Sequence, residues 1–355
     1  MSLPEVEPSC PKGDRSPLRM PSTGDELSVR LSTGRGRLHD ARQWAADPHA
    51  MRTLPAEVVD LAHGQRGALT TAQARVLGLL PSDLVELASH RQLEHPFRGV
   101  YTLPPPPGED AEARHLRLCA ALRLLYPQGA LTGVSAVLAH GAAVSGADLS
   151  RPVLRWSKDR GTGVKGAVFR RSTGPVVETS LGPTTALPQA LVEVAMDSGP
   201  VAGVVSADHA LHSRAVTLEQ LSAALDDVRR WPRAGRVRSM LALVDARSES
   251  VGESQTRCQL SIAGIVAVPQ VEIRDEDGRL VARVDLLVDD WVVVEFDGRI
   301  KYADGDPSVL WREKKREDAL RRLGYVVVRV TWADLRVPGK VAAMVRRARQ
   351  DVRPA

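Results

Sequence analysis

The 355-residue chain is short of several things at once. Its three cysteines, Cys10, Cys119 and Cys258, are too few and too scattered for a disulfide framework or a cysteine zinc site. No apolar run approaches the roughly 18 residues of a membrane-spanning helix. The polar, charged start lacks the apolar core of a secretory leader. These absences lead us to expect a cytoplasmic, reduced protein with no membrane attachment. Aromatic residues make up only 4%, which argues against a single-strand binder built on base stacking. Lysine is scarce too, at seven of 48 basic residues, an arginine excess that reflects genome composition more than function. Against that background the clustering of Lys301, Lys314 and Lys315 stands out.

What is present suffices for two or three domains with real cores, at 43% hydrophobic residues. The formal charge of +5 is unevenly spread. Residues 1–50 carry 7 basic and 7 acidic residues, 51–150 carry 8 and 9, 151–250 carry 14 and 10, and 251–355 carry 19 and 17. Near the end Lys340, Arg346, Arg347, Arg349 and Arg353 face only Asp351. That basic end beside an acidic cluster is compatible with a phosphate-rich partner and a metal site, or with a solvated amphipathic helix.

Residues 1–50 mix proline, serine, glycine and charge without apolar period and read as a disordered extension. Met51, just ahead of the first helix, is a second candidate start. Helices are expected at Pro55 to Gln65, from a Thr70 or Thr71 cap to Leu77, and from a Ser82 cap through Asp83 to Arg91. A hairpin is expected at Leu93 to Leu103. Three helices and a hairpin over residues 51–103 spell a winged helix-turn-helix, whose third helix enters the DNA major groove. Ser82, Ser89, His90, Arg91 and Arg98 would be its exposed nucleic-acid-binding groups. A protein-docking module of the same shape is the alternative, since residues 51–150 are not basic overall.

Pro104-Pro105-Pro106-Pro107-Gly108 marks a linker over 104–110. Residues 111–246 read as an α/β connector domain. Its helices are expected at Ala111 to Tyr126, Gly133 to His140, Thr184 to Met196, Val201 to His212 and Leu218 to Val228. Its strands are expected at Val153 to Trp156 and Ala167 to Arg171. Asp208, His209 and His212 suggest a metal only weakly, because no further ligand follows at a telling spacing.

Residues 247–355 carry the chemistry. Ser250 to Ala263 reads as a helix with Glu253 and Arg257 on one face. Strands are expected at Val281 to Val288, containing Asp285, and Trp291 to Phe296, containing Glu295. A carboxylate inside so apolar a run needs a partner or a metal. One could be a core salt bridge with Arg283 or Arg329. Two on adjacent strands, with Asp297 beside them, point to a hard cation. Register tests the idea: a two-residue turn at Asp289-Asp290 would pair Asp285 with Val294 and put Glu295 on the other face. A three-residue loop, Asp289 to Trp291, would pair Asp285 with Glu295.

Helix, acidic strand, acidic strand, helix, strand is the order of the PD-(D/E)XK nuclease core. Glu253-Ser254 with Arg257, Pro269-Gln270, Arg283-Val284-Asp285-Leu286 and Glu295-Phe296-Asp297-Gly298 resemble the small Vsr-like endonuclease domains. Lys315-Arg316-Glu317-Asp318, Gly324-Tyr325 and Arg329-Val330-Thr331 extend the match. From about residue 55 the chain resembles the actinobacterial type IV toxin–antitoxin AbiEi-family antitoxin domain proteins. The resemblance implies an α/β multidomain protein: a winged helix-turn-helix, an α/β middle domain and a restriction-endonuclease-like sheet. It implies hydrolysis of DNA phosphodiesters with Mg²⁺ or Mn²⁺, in phage defence or a toxin–antitoxin system, with a toxin as a possible partner.

On that reading Asp285 and Glu295 hold the metal, the Phe296 carbonyl completes the site, and Glu253 approaches directly or through water. The family signature has lysine two residues after the second acid, where this chain has Asp297. Asp297 is then a further metal ligand or a hydrogen-bond acceptor at the Gly298 turn. The missing cation would come from Lys301, Lys314 or Lys315. Lys314, Asp318 and Arg321 share one face of a helix over Val309 to Leu323, and Lys315 and Arg321 would meet the nucleic acid. Duplex DNA is the expected substrate, with RNA open. The alternative is an inactive DNA-binding regulator of antitoxin type.

Overall fold

The computed structural model describes residues 53–155, 164–298 and 307–351. The expected extension over 1–50, Lys301 and Arg353 lie outside the described residues. Among those described, thirteen helices and three sheets make a mixed α/β protein.

The chain begins with α1 (Ala56–Gly64), β1 (Ala68–Thr70), α2 (Thr71–Val76), α3 (Pro81–Ser89), β2 (Glu94–Phe97) and β3 (Val100–Thr102). Thr70 caps α2: its hydroxyl accepts from Gln73 N at 3.1 Å while Gln73 Oε1 accepts from Thr70 N at 2.8 Å. α3 starts earlier than its sequence suggests. Pro81 occupies the first helical position and Asp83 Oδ2 accepts from Leu80 N at 2.8 Å, so Ser82 lies inside the helix and does not cap it. Arg98 and Gly99 turn the β2–β3 hairpin, with Gly99 at φ +89°. The sheet order is β1-β3-β2, and Val58, Leu69, Leu84, Leu87 and Leu93 fill the core beneath it.

Next come α4 (Ala111–Leu125), β4 (Ala130–Leu131), α5 (Gly133–Ala139), β5 (Val153–Arg155), β6 (Val168–Arg170), β7 (Val176–Thr179) and β8 (Gly182–Thr185). α6 (Leu187–Ser198), α7 (Pro200–His212), α8 (Leu218–Val228) and α9 (Ala234–Leu241) follow. The five strands are ordered β6-β5-β4-β8-β7. The helix expected from Thr184 begins only at Leu187. Thr184 and Thr185 are β-branched and pair with β7, and Pro188 sits in the first turn of α6. The Pro104–Gly108 segment does not divide the core. Ala68, Phe97 and Val100 pack with Cys119, Ala121 and Leu122, and Arg117 of α4 donates back to Glu94 and to Thr102 Oγ1 at 2.9 Å.

The last group is α10 (Val251–Ile262), β9 (Val268–Arg274), β10 (Leu280–Val288), β11 (Val292–Asp297), α11 (Pro307–Arg322), β12 (Val326–Thr331), α12 (Trp332–Leu335) and α13 (Lys340–Asp351). The sheet runs β12-β11-β10-β9. β11 and β12 are parallel and joined through α11, whereas β9, β10 and β11 alternate antiparallel. Leu260, Val341 and Val345 cover one face with Val292, Val294, Val328 and Val330. Leu320 of α11 packs on the other with Leu287 and Val293. Among the described residues no helix is long and apolar enough to cross a membrane.

Candidate active site

The β10–β11 loop decides the site. Val288 pairs with Val292, so the connection is the three-residue Asp289-Asp290-Trp291, with Asp289 and Asp290 in left-handed conformations at φ +51° and +64°. Continuing that register one step past Leu286 and Val294 sets Asp285 opposite Glu295 on one face of the sheet. This is the longer of the two loops the sequence allows, and the one that a shared site requires.

Neither arginine that could have neutralised Asp285 does so. Arg283 pairs with Glu249 at 2.8 Å, and Arg329 pairs with Glu317 at 2.8 Å. Asp285 Oδ2 accepts from Phe296 N at 2.8 Å. Burial raises the Asp285 carboxyl to about 6, against the pull of that N–H, and the nearby carboxylates of Glu253 and Glu295 push the same way as burial. The carboxylates of Glu295 on the facing strand and Glu253 on α10 thus act on Asp285 through space.

Glu253 arrives there because α10 approaches β11 unusually closely. A Cβ on Gly252 would lie 2.1 Å from the Phe296 ring, so only glycine permits the contact. Phe296 is held edge-on against Trp332, with ring centroids 4.8 Å apart. Ser250 caps the helix on Glu253 N at 3.1 Å. The buried Glu253 side chain accepts at Oε2 from Gln270 Nε2 at 2.8 Å and from Glu249 N at 3.0 Å. Gln270 takes a left-handed φ of +56° within β9.

The cation beside these acids is Arg316, which sequence reasoning passed over. Its Nη2 lies 2.5 Å from Glu295 Oε1. The expected lysines go elsewhere. Lys315 Nζ sits 3.4 Å above the exposed Trp311 ring, and Lys314 is exposed on α11. Arg321 is paired with Glu317 at 2.5 Å. The signal was available: Arg316 is four residues before the buried Leu320, hence on the side of α11 that faces the sheet. Asp297 ends β11 opposite Thr331.

Glu253 and Arg257 do not act together, although they share a helix. Arg257 Nη2 contacts Asp208 Oδ2 at 2.6 Å, where Ser254 Oγ also donates at 2.7 Å. Asp245 N donates to the other oxygen of Asp208 at 2.7 Å. Asp208 is thus a buried tie between α7 and α10; His209 is exposed and His212 bonds the Ala246 carbonyl at 3.0 Å. Cys119 and Cys258 are buried with thiols pushed up to about 12 by desolvation, unsuited to nucleophilic work.

In the first segment Ser82, Ser89, His90, Arg91 and Arg98 are all exposed. Ser89 Oγ and His90 Nδ1 both engage the Glu86 carbonyl, at 2.7 and 3.0 Å, closing the end of α3. α3 carries no basic residue; its Val85 is exposed, as are Val76 and Leu80 ahead of it. On α13, Arg349 pairs with Asp289 at 2.5 Å and Arg346 donates to the Ala263 carbonyl at 3.2 Å, so part of the basic C-terminal run is structural.

Among the described residues no group of three or more His, Cys, Asp or Glu side chains is arranged to hold a metal ion as it stands. Two facing carboxylates do suit a hard cation that takes one or two acids, keeps waters and meets substrate phosphate. No protein-family model and no curated protein matches this chain.

Proposed function

We propose that the C-terminal part is an endonuclease domain of PD-(D/E)XK type that hydrolyses DNA phosphodiesters with Mg²⁺ or Mn²⁺. The observation that carries this reading is the β10–β11 register, which extended one step sets Asp285 and Glu295 on one face, together with Arg316 against Glu295. Asp285 and Glu295 would hold the cation, and Glu253, held by Gln270, would accept from its water shell. A divalent cation bound there supplies an acidified water and charge stabilisation at the phosphoryl oxygens. Arg316 would take the role of the missing lysine, carrying positive charge towards the scissile phosphate. The mixed sheet with its α11 crossover supports this fold assignment.

The order α1-β1-α2-α3-β2-β3, with sheet order β1-β3-β2, supports a winged helix-turn-helix in front. Arg91 and Arg98, with exposed Arg66 and Arg75, are cations it offers to a DNA backbone. One observation favours the second reading, an antitoxin-type regulator docking a toxin. α3 is acidic, exposes Val85 and is preceded by exposed Val76 and Leu80, a surface better suited to protein than to base edges.

Incubating the purified protein with plasmid, single-stranded DNA and RNA, with Mg²⁺, Mn²⁺ or EDTA, separates the readings. Divalent-dependent cleavage of duplex DNA that disappears in Glu295→Ala is expected. Cleavage that persists in that variant sinks the site assignment. No cleavage of any substrate, with tight binding to one promoter fragment, favours the regulator.

A further inference from the structure

A cavity of about 530 Å³ lies in the middle of the chain, and none of its lining comes from α10, β10, β11 or α11. Valine side chains of α5, β5, β6 and α6 form apolar wall, while Arg151, Arg170, Arg171 and Arg233 bring four guanidinium groups to it. Asp148 and Asp197 are the acids of the lining, so four positive charges against two negative leave +2. The acids are already used: Arg170 is paired with Asp197, and Arg151 lies 3.6 Å from Asp148. Neither Arg171 nor Arg233 has a carboxylate partner among the described residues. Arg233 also stands at a left-handed φ of +69°, which an arginine adopts at a cost, immediately before α9. No side chain caps that helix, so its positive end adds to the potential around Arg233.

A cavity of this size suits a small molecule, not a lone ion. Its net charge of +2 matches a phosphate monoester, whose three terminal oxygens arginine forks bind best. We propose that this pocket binds a phosphate monoester of mononucleotide size, with Arg171 and Arg233 on the phosphate, Arg151 and Arg170 pre-set by their acids, and the valine wall against the organic body. The ligand is either a free nucleotide or the phosphorylated end of a strand. This inference does not depend on the nuclease reading.

Calorimetric titration of the full chain tests it, with adenosine 5′-monophosphate, adenosine, inorganic phosphate, and an oligonucleotide with and without a 5′-phosphate. Adenosine monophosphate is expected to saturate a single site and to bind at least about tenfold more tightly than adenosine or inorganic phosphate. Arg171→Ala and Arg233→Gly should each weaken it by about tenfold, since each removes a charge-assisted contact. Arg233→Gly suits a φ of +69° better than arginine does, so a loss there is not a folding defect. Glu295→Gln should leave the affinity unchanged, which separates this site from the nuclease reading. Displacement by the phosphorylated oligonucleotide alone supports the same chemistry with a strand end as its source. Equal displacement by the unphosphorylated one, equal binding of inorganic phosphate, or no binding overturns the proposal.

Discussion

Asp285 occupies a position that folding alone would not choose. It sits among Val284, Leu286 and Leu287 with no arginine of its own strand in reach, and burial lifts its carboxyl to about 6. That anomaly was legible in the sequence, because an acid inside an apolar strand is visible without coordinates. Arg316 was not picked out, because lysine is what the nuclease pattern leads one to look for, and Lys314 and Lys315 adjoin it. Helical phase from Leu320 separates the three; Lys315 turns to Trp311 and Arg316 to Glu295. Arg316→Ala is expected to lower kcat for plasmid cleavage on the order of 10²-fold, with Arg316→Lys recovering part of the loss. Equal activity in Arg316→Ala would assign the role elsewhere. At the α7–α10 tie, Asp208→Asn should cost about 3 kcal/mol by chemical denaturation, since it leaves the buried Arg257 without its countercharge. A loss below about 0.5 kcal/mol would mean that the pair contributes nothing net.

The β10–β11 hairpin is the element on which the site depends. Its loop length could not be chosen from the sequence, because Asp289-Asp290 suits a two-residue turn as well as a longer one. Left-handed backbone at both aspartates and Trp291 as the third loop residue settle the register. Asp289→Asn with Asp290→Gly should favour a two-residue turn that draws Trp291 into the strand, pairing Asp285 with Val294 and turning Glu295 to the opposite face. The expected result is lost cleavage with strand content retained by circular dichroism. Full activity in the Asn-Gly double variant would show that cross-strand pairing is not what assembles the acids. β7 and β8 were the hardest elements to read: β8 is four residues long, contains Pro183 and runs almost directly into α6. Short strands between prolines have too few residues for a period of two to show.

Across the whole molecule, helix spacing was readable but independence of domains was not. Cys258 of α10 packs with α6–α9 residues, whereas Leu260, two residues on, packs with the β9–β12 sheet. A proline run marks a break in secondary structure and says nothing of packing across it, as Arg117 illustrates. His115 of α4 joins distant parts similarly, with Nδ1 2.9 Å from the Leu149 carbonyl and Nε2 2.8 Å from Ser135 Oγ. Burial lowers its pKa below 6.5, so the folded protein holds it neutral. Its contribution to stability is complete above the unfolded value of 6.5 and is lost as pH falls through the lowered folded value. The melting temperature should fall from pH 7 to pH 5.5, and His115→Asn should flatten that part of the profile. An unchanged slope in the variant would place the titration on another group.

The central claim, that Asp285 and Glu295 form one cation site, is tested most directly by calorimetric titration of Mn²⁺ into the purified chain, Asp285→Asn and Glu295→Gln. A single saturable site in the parent, abolished by either substitution, is the predicted result. Undiminished binding in both variants would contradict it.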